Sequence, residues 1–464
     1  MLSGSKKLAE FKSKISADSS ARKRLEFLFD EGEYTELDAF VKNGDDLAGV
    51  ITAYGFVEGS PVYAFSQDKT VKNGAVNKAQ ASKIAKIYEL AAKTGIPVIG
   101  IHDSDGAFID DGADSLFAYG EMMMWTSNVS GVVPQISVIA GTCAGSAAVF
   151  ACSSDFVIMT ENSEFFMAVP SNSKTEGAGS AKNAAKSGTA ALVLKDDKEA
   201  MAMARKLVSM LPMNNLSPIP MFEFSESGLA IGKDAASIVA SIADAGSVTE
   251  LYADFGKASF TAFASVSGAT VGFAATNKTS DKLTADDSSK LSRFLRICDA
   301  FSVPVITIVD SEGFEVSAEN ELSGSIREIA KLAHSYAEAT TVKVAVVAGK
   351  AYGPVFTALA GKNANSDMTF AYPDAVISPI APEAAVEFLS HDKLKGASDV
   401  AKMRSELADE YASEKASAFS AAEKGCIDDI IEPIATRQSI ISALEVLAGK
   451  RVSRLSKKHS NIPM

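Results

Sequence analysis

An internal repeat constrains the fold of this 464-residue chain more than any other feature of its sequence. The segment Val303-Pro304-Val305-Ile306 is similar in sequence to Ile96-Pro97-Val98-Ile99, and Val344 to Gly353 is similar to Ser137 to Gly145. Pro304 lies 207 positions after Pro97, and Gly353 lies 208 positions after Gly145. Two offsets so nearly equal are hard to obtain by chance. The sequence therefore predicts a duplication, with two copies of one α/β unit in the chain.

The duplication divides the chain into two predicted domains, residues 1–224 and residues 225–464. Prolines and asparagines interrupt every periodic pattern between Leu211 and Pro220, which makes that stretch the best candidate for a linker. Two further segments lack a clear pattern. Residues 1–20 are predicted as a loosely held polar arm, and residues 171–190 as a loop rich in glycine, serine, alanine and lysine.

A strand, a glycine turn and a helix follow one another at the centre of the first copy. Ile136 to Ala140 is typical of a buried strand, and the small residues up to Cys152 are typical of a closely packed helix. The turn Gly141-Thr142-Cys143-Ala144-Gly145-Ser146 has neither the Lys-Ser/Thr of a P-loop nor the three-glycine spacing of a dinucleotide fingerprint. Its main-chain N–H groups predict a cradle for one oxyanion. A tight connection whose glycines serve packing alone is the alternative.

A second polar turn recurs in both copies. Asp103-Ser104-Asp105-Gly106 follows the predicted strand Ile96 to Gly100, and Asp310-Ser311-Glu312-Gly313 follows the counterpart of that strand. Because α/β folds bind ligands at the carboxyl ends of their strands, the recurrence favours a ligand site in each copy. A shared ancestral fold without a site would also explain the repeat, but not the position of its polar turns.

Composition excludes several classes of function. A net charge of −13 argues against nucleic acid as the main partner. The four cysteines form no C-x-x-C pair, so no disulfide framework and no metal site is expected, and a reducing cytoplasm is the predicted compartment. The first residues lack the apolar core of a secretory signal, and no apolar run reaches the ~18–20 residues that span a bilayer.

The side chains of the central turn offer little chemistry of their own. No G-x-S-x-G or H-E-x-x-H motif is present, and Cys143, with no histidine near it in sequence, is predicted as a buried thiol. Asp103 and Asp155 are predicted to fix turns rather than to act in catalysis. A site built from main chain suits a reaction in which the substrate becomes an enolate and only needs its oxygen held.

These motifs resemble those of the carboxyltransferase subunit of biotin-dependent acyl-CoA carboxylases and of their sodium-pumping decarboxylase relatives. The resemblance covers roughly residues 21 to 464. It implies an α/β fold made of two duplicated crotonase-like (ClpP/crotonase) domains. The G-P-C-A-G-G motif of that family matches Gly141 to Ser146, which implies that Gly145 and Ser146 donate their N–H groups to the ureido oxygen of biotin.

The second motif of the family, K-A-[YF]-G-G-A, matches Lys350-Ala351-Tyr352-Gly353-Pro354-Val355. It implies that Gly353, Pro354 and Val355 lie at the acyl-CoA oxygen. The S-G-G-A-R turn of the family matches Ser104-Asp105-Gly106-Ala107-Phe108, where a glycine and the arginine are replaced. Ser104, Asp105, Gly106 and Ala107, together with Tyr352, are the implied cofactor-binding residues.

The resemblance implies an enzyme that moves a carboxyl group between carrier-bound biotin and a short-chain acyl-CoA, without a protein base. The alternatives are the alpha subunit of a biotin-dependent decarboxylase of the methylmalonyl-CoA type, and a non-catalytic scaffold. The scaffold stays open because Pro354 has no N–H to donate.

The implied partners are a separate biotin carboxyl carrier protein, biotin carboxylase or membrane decarboxylase subunits, and further copies of the chain in a dimer-based hexamer.

Overall fold

The computed structural model describes residues 4–15, 18–172, 176–363, 366–453 and 455–463. The chain divides into two compact units, Met1–Pro220 and Met221–Met464. The division falls after Pro220, at the end of the predicted linker and four residues before the predicted boundary at residue 224. Of the helices in the described ranges, none is long and apolar enough to cross a membrane.

The first unit is organised around an eight-stranded sheet with helices packed on it. Its strands, numbered in chain order, are β1 (Tyr34–Leu37), β2 (Lys42–Asn43), β3 (Asp46–Leu47), β4 (Val50–Val57), β5 (Ser60–Gln67), β6 (Val98–Ser104), β7 (Gln135–Ala144), β8 (Phe156–Thr160), β9 (Glu164–Phe166) and β10 (Leu192–Leu194). Its helices are α1 (Gly4–Ile15), α2 (Ser20–Leu28), α3 (Lys78–Thr94), α4 (Ala113–Val129), α5 (Ser146–Cys152), α6 (Ala181–Lys186) and α7 (Asp197–Met210).

The second unit contains a sheet of the same size. Its strands are β11 (Thr249–Leu251), β12 (Phe260–Val266), β13 (Ala269–Ala275), β14 (Val305–Ser311), β15 (Lys343–Tyr352), β16 (Met368–Ala371), β17 (Val376–Ser378) and β18 (Asp429–Ile430). Its helices are α8 (Ala235–Ile242), α9 (Ala285–Ala300), α10 (Ala318–Leu322), α11 (Ser325–Glu338), α12 (Pro354–Leu359), α13 (Pro382–Leu389), α14 (His391–Lys395), α15 (Val400–Glu414), α16 (Ala418–Glu423) and α17 (Thr436–Leu447).

The two sheets have the same topology, which confirms the predicted duplication. The first runs β1-β4-β5-β6-β7-β8-β10, with β9 beside β7, and the second runs β11-β12-β13-β14-β15-β16-β18, with β17 beside β15. Each begins with an antiparallel hairpin and continues with parallel strands. The register even shifts at the same place, between His102 and Ser104 in the first unit and between Val309 and Ser311 in the second.

Local signals explain where the main helices lie. The Asn77 side chain caps the N-terminus of α3, and Gly95 ends that helix in the left-handed region. Thr284 and Asp287 form a capping box at the start of α9, the counterpart helix. All seven residues of β6 are buried, as expected for a parallel strand covered on both faces.

Three local predictions are corrected by the structure. The predicted arm contains the helix α1. Its Phe11 ring makes an edge-on contact with the ring of Phe40, with 5.8 Å between the ring centroids. Residues 1–3, 16 and 17 lie outside the described ranges. The predicted loop 171–190 contains α6, which Ser180 caps, while residues 173–175 lie outside the described ranges. The predicted glycine turn is shorter than expected, because β9 pairs with Thr142 to Ala144 and keeps β7 extended up to Gly145.

Candidate active site

The carboxyl ends of β6 and β7 form the edge of the first sheet at which the predicted site residues of the first unit meet. After the register shift, Ser104 pairs with Cys143. The shift brings Gly141 against the Asp103 side chain, where a Cβ on residue 141 would lie 2.1 Å from Oδ1. The Thr142 N–H donates to the same oxygen at 3.3 Å. Asp103 therefore braces the end of β7, and glycine at position 141 is required by the close approach.

A buried ion pair holds this carboxylate in place. Arg24 of α2 donates from Nη1 to Asp103 Oδ2 at 3.0 Å, and the two side chains are only 6% and 7% exposed. The guanidinium also donates to Asp197 Oδ2 at 2.7 Å and to the Ala140 carbonyl oxygen at 3.0 Å. One side chain thus ties α2, β6, β7 and α7 together beneath the site.

Of the predicted donor pair in the turn into α5, the Ser146 N–H is free and the Gly145 N–H is not. Gly145 has φ 60° and ψ −128°, a conformation that favours glycine, and its N–H donates to the Phe166 carbonyl oxygen at 2.9 Å. Ser146 is the first residue of α5, and its N–H has no partner among the described residues. Gly145 is therefore occupied in this structure, while Ser146 presents a donor.

A second free donor comes from the turn after β6. The Ser104 hydroxyl bonds both the N–H and the carbonyl of Gly106, and the Val76 N–H donates to the Gly106 carbonyl at 2.8 Å. These bonds fix the turn and leave the Ala107 N–H without a partner in the described ranges. A Cβ at Gly106 would lie 3.0 Å from the Ala144 carbonyl oxygen, so the turn rests directly on the end of β7.

The second unit repeats this arrangement with one donor missing. The Ser311 hydroxyl bonds both the N–H and the carbonyl of Gly313, and the Leu283 N–H donates to the Gly313 carbonyl, as Val76 does in the turn of the first unit. The Phe314 N–H is left without a partner in the described ranges. The Gly353 N–H, like that of Gly145, is occupied, and donates to the Ser378 carbonyl oxygen at 2.9 Å.

Pro354 stands where Ser146 stands in the first unit, as the first residue of α12. Proline is well suited to that position in a helix, but it presents no N–H. The next N–H is that of Val355, whose side chain is fully buried. Sequence reasoning did not identify Phe314, although the repeat offset of 207 from Ala107 could have located it.

The other motif residues differ in exposure. Asp105 is exposed, and its side chain lies 3.4 Å from the Lys69 ammonium. Tyr352 is 7% exposed, and burial raises the pKa of its hydroxyl. Cys143 is fully buried, and burial raises the pKa of its thiol so far that it stays protonated. The prediction that Cys143 is a buried thiol is therefore confirmed.

The histidine of this region is not available as a protein base. His102, the histidine next to the turn, is 1% exposed, and burial lowers its pKa to about 3, so its ring is neutral. Its Nε2 lies 3.1 Å from the Ser137 hydroxyl, inside the core. In the part of the chain that the structure describes, no group of three His, Cys, Asp or Glu side chains could hold a metal ion. The chemistry of this edge is that of main-chain N–H groups.

Comparisons with known proteins agree with this arrangement. Residues 17–462 match the carboxyl transferase domain family. The chain is 37% identical to methylmalonyl-CoA decarboxylase subunit alpha of Propionigenium modestum, over 98% of this chain and 95% of that protein. It is 36% identical to the methylmalonyl-CoA carboxyltransferase 12S subunit of Propionibacterium freudenreichii, over 96% of this chain and 91% of that protein.

A solved structure extends the likeness to three dimensions. The hexameric transcarboxylase 12S, with methylmalonyl-coenzyme A and methylmalonic acid bound, superimposes with a TM-score of 0.91 at 34% identity. The match covers 98% of this chain and 94% of that one. The predicted fold class, a duplicated two-domain α/β architecture, is confirmed.

Proposed function

Because the chain belongs to the carboxyl transferase domain family, we propose that it moves a carboxyl group between carrier-bound biotin and a short-chain acyl-CoA. The observation that carries the proposal is the pair of N–H groups at Ala107 and Ser146, which lie on adjoining segments and have no partner among the described residues. Methylmalonyl-CoA is the proposed carboxylated thioester, since the similar proteins carry that name, and propionyl-CoA, which it becomes on losing its carboxyl group, is the uncarboxylated one.

The residues suit the stabilisation of an oxygen that gains negative charge. In the first unit, Ala107 and Ser146 donate to the ureido oxygen of biotin; in the second, Phe314 and Val355 are the groups available to the thioester oxygen. Gly145 and Gly353 shape the turns, and their N–H groups stay with Phe166 and Ser378. Biotin supplies the carboxyl group and accepts the substrate proton, so no protein base is needed. Donors fixed by the fold stabilise such charge without reorganising during the reaction.

The decarboxylase direction is the second candidate. It is favoured by the likeness to methylmalonyl-CoA decarboxylase subunit alpha, and the same N–H groups serve both directions because the charged oxygens are the same. The scaffold alternative depends on Pro354, which removes a donor from the second unit.

We further propose that biotin arrives on a separate carrier protein. The chain has no Met-Lys-Met segment, and its nearest approach to one, Lys402-Met403, lies within the helix α15. A streptavidin blot of the purified chain is expected to be blank, and a positive band would contradict a separate carrier. The carrier, together with biotin carboxylase or membrane decarboxylase subunits, makes up the proposed complex.

The proposed assembly is a homo-oligomer, most simply a hexamer like that of transcarboxylase 12S. Light scattering at micromolar concentration tests it, and a stable monomer would exclude it. The proposed compartment is the cytoplasm, which the unbridged thiols of Cys143, Cys298 and Cys426 support.

A transfer assay tests the function. Methylmalonyl-CoA labelled in its free carboxyl group is mixed with the chain and free biotin, and biotin-dependent formation of unlabelled propionyl-CoA is followed. Turnover that requires both biotin and the chain supports the proposal. If neither this thioester nor several other carboxylated acyl-CoA esters react, the scaffold alternative is correct.

A further inference from the structure

A lysine stands beside the polar turn of the first unit. The Lys69 ammonium donates to the Thr142 hydroxyl at 2.8 Å, and lies 3.4 Å from Asp105 Oδ1 and 3.6 Å from Asp103 Oδ1. Asp105 precedes Ala107 by two residues, and Thr142 precedes Ser146 by four. The cation therefore contacts both of the segments that carry the two free N–H groups.

The second unit has a lysine at the same place, supplied by a different element. Lys350 Nζ lies 2.6 Å from Glu312 Oε1, and Glu312 is the counterpart of Asp105. Lys350 itself is the counterpart of Thr142, 208 positions later, and not of Lys69. The counterpart of Lys69 is Lys278, 209 positions later, which bonds Glu250 and the Ala253 carbonyl oxygen instead.

Two lysines at non-equivalent positions of the repeat thus lie beside acidic side chains at equivalent positions, Asp105 and Glu312. Inheritance from one ancestral copy does not explain this. Lys69 and Lys278 occupy the same position of the repeat, but only Lys69 contacts the polar turn. Stability is a weak explanation as well. The side chains of Lys350 and Glu312 are 48% and 54% exposed, those of Lys69 and Asp105 are 40% and 46% exposed, and exposed pairs of this kind contribute little to folding.

An exposed pair is, however, easily opened by a competing anion. Glu312 is itself open to solvent. The Lys350 ammonium also has N–H donors besides the one that Glu312 accepts. The mutual attraction keeps both groups charged, since it raises the pKa of Lys350 and lowers that of Glu312. An incoming carboxylate can replace the acidic side chain as the partner of the ammonium.

We propose that Lys69 and Lys350 bind the carboxylate that is transferred, each beside the N–H groups of its own unit. This inference rests on the proposed function. Both carboxylated reactants, the carboxylated biotin and the carboxylated thioester, present a carboxylate next to a carbonyl oxygen. Each unit presents the complementary pattern, which is an ammonium next to main-chain donors. Asp105 and Glu312 are the resting partners that the substrate carboxylate displaces.

Equilibrium binding of two thioesters to the assembled protein tests the inference. Lys350→Met is expected to weaken methylmalonyl-CoA binding roughly tenfold to a hundredfold, the scale of one charge-assisted hydrogen bond, and to leave propionyl-CoA binding unchanged. Lys350→Arg restores much of the loss. Lys278→Met is the matched control, because it removes a lysine of the same unit that bonds Glu250, and it is expected to change neither affinity.

Glu312→Gln provides a test of opposite sign that does not depend on how the lysine variant folds. Removing the competing carboxylate is expected to tighten methylmalonyl-CoA binding severalfold, again without an effect on propionyl-CoA. In the first unit, Lys69→Met is expected to raise the concentration of carboxylated carrier that gives half-maximal transfer, while thioester binding stays the same.

The outcomes separate the inference from the proposed function. Equal effects of Lys350→Met on both thioesters, or no effect on either, overturn the lysine role while wild-type transfer persists. If the wild-type protein binds neither thioester and shows no biotin-dependent transfer, the proposed function fails and the lysine role fails with it. A selective loss of methylmalonyl-CoA affinity, with propionyl-CoA unaffected, supports the inference.

Discussion

The cradles of the two units share their architecture and differ in one donor. Both lie where parallel strands end, both follow a positive-φ glycine, and both have a polar turn fixed by a serine. The first keeps the Ser146 N–H, whereas the second has Pro354 at the same place. The fold tolerates this because the first N–H of a helix has no intrahelical partner to lose. The difference therefore concerns chemistry rather than folding.

A second comparison lies beneath the cradles. Asp103 and Asp310 brace Gly141 and Gly349 in the same way, since a Cβ on either glycine would fall 2.1 Å or 2.3 Å from the carboxylate. Asp103 is paired with buried Arg24, whereas Asp310 Oδ2 accepts from the Asn277 amide at 2.7 Å. One brace is ionic and buried, and the other is a hydrogen bond.

The largest expected effect comes from removing the donor of the first unit. Ser146→Pro is expected to lower the rate of carboxyl transfer about a hundred- to a thousandfold, the usual loss for one oxyanion donor. Pro354 shows that this position of the repeat accepts proline, so the fold is expected to persist. The assay is biotin-dependent turnover of methylmalonyl-CoA. Ser146→Ala, which keeps the N–H, is the control, and equal rates for the two variants would refute the donor role.

Neutralising the ionic brace is expected to have the next largest effect. Asp103→Asn leaves Arg24 buried with only Asp197 as a charged partner, and is expected to lower the free energy of unfolding by about 3 kcal/mol. Asp310→Asn changes only a hydrogen bond to the neutral amide of Asn277, and is expected to lower the free energy of unfolding by about 1 kcal/mol. Urea unfolding measures both. Similar losses in the two variants would mean that the Arg24 pair is not what distinguishes the units.

Restoring the missing donor is expected to produce a gain. Pro354→Gly is expected to raise carboxyl transfer about tenfold or more, because the second unit regains the N–H that the first unit keeps. Pro354→Ala supplies the same N–H with less backbone freedom, so it is the matched variant. A gain with glycine alone would assign the effect to flexibility. If neither variant is faster than a measurable wild-type rate, the second turn does not act through this donor.

The smallest expected effect is a difference in pH dependence between the two units. Burial lowers the pKa of Lys290, in the second unit, to about 7, and that of its counterpart Lys83 to about 8, from an ordinary value of 10.5. Each protonated ammonium therefore destabilises its fold at low pH, and the penalty declines as the pH rises above the folded pKa toward 10.5.

Replacing each lysine by methionine isolates its contribution. Between pH 7 and 8, the difference in unfolding free energy between Lys290→Met and wild type is expected to change by about 1 kcal/mol. The change expected for Lys83→Met is less than half as large, because Lys83 is still mostly protonated in that range. Urea unfolding at the two pH values provides the measurement. Equal changes would show that the two buried ammonium groups titrate alike.

Much of the fold could be predicted from the chain alone. The repeat offsets predicted two copies of one unit, and the central motif predicted a strand followed by a helix, because hydrophobic periodicity and glycine positions depend only on local sequence. The helix α1 was not predicted, because its contact with Phe40 joins residues that are distant in sequence.

The sequence by itself determined which N–H groups could exist, since Ser146 has one and Pro354 has none. It could not determine which of them are free. The occupation of Gly145 by Phe166, and of Gly353 by Ser378, follows from the pairing of β9 with β7 and of β17 with β15. The place of Lys69 beside Thr142 follows in the same way from the neighbouring ends of distant segments. Such hydrogen bonds join residues far apart in the chain, so only the tertiary structure decides which donors remain for a substrate.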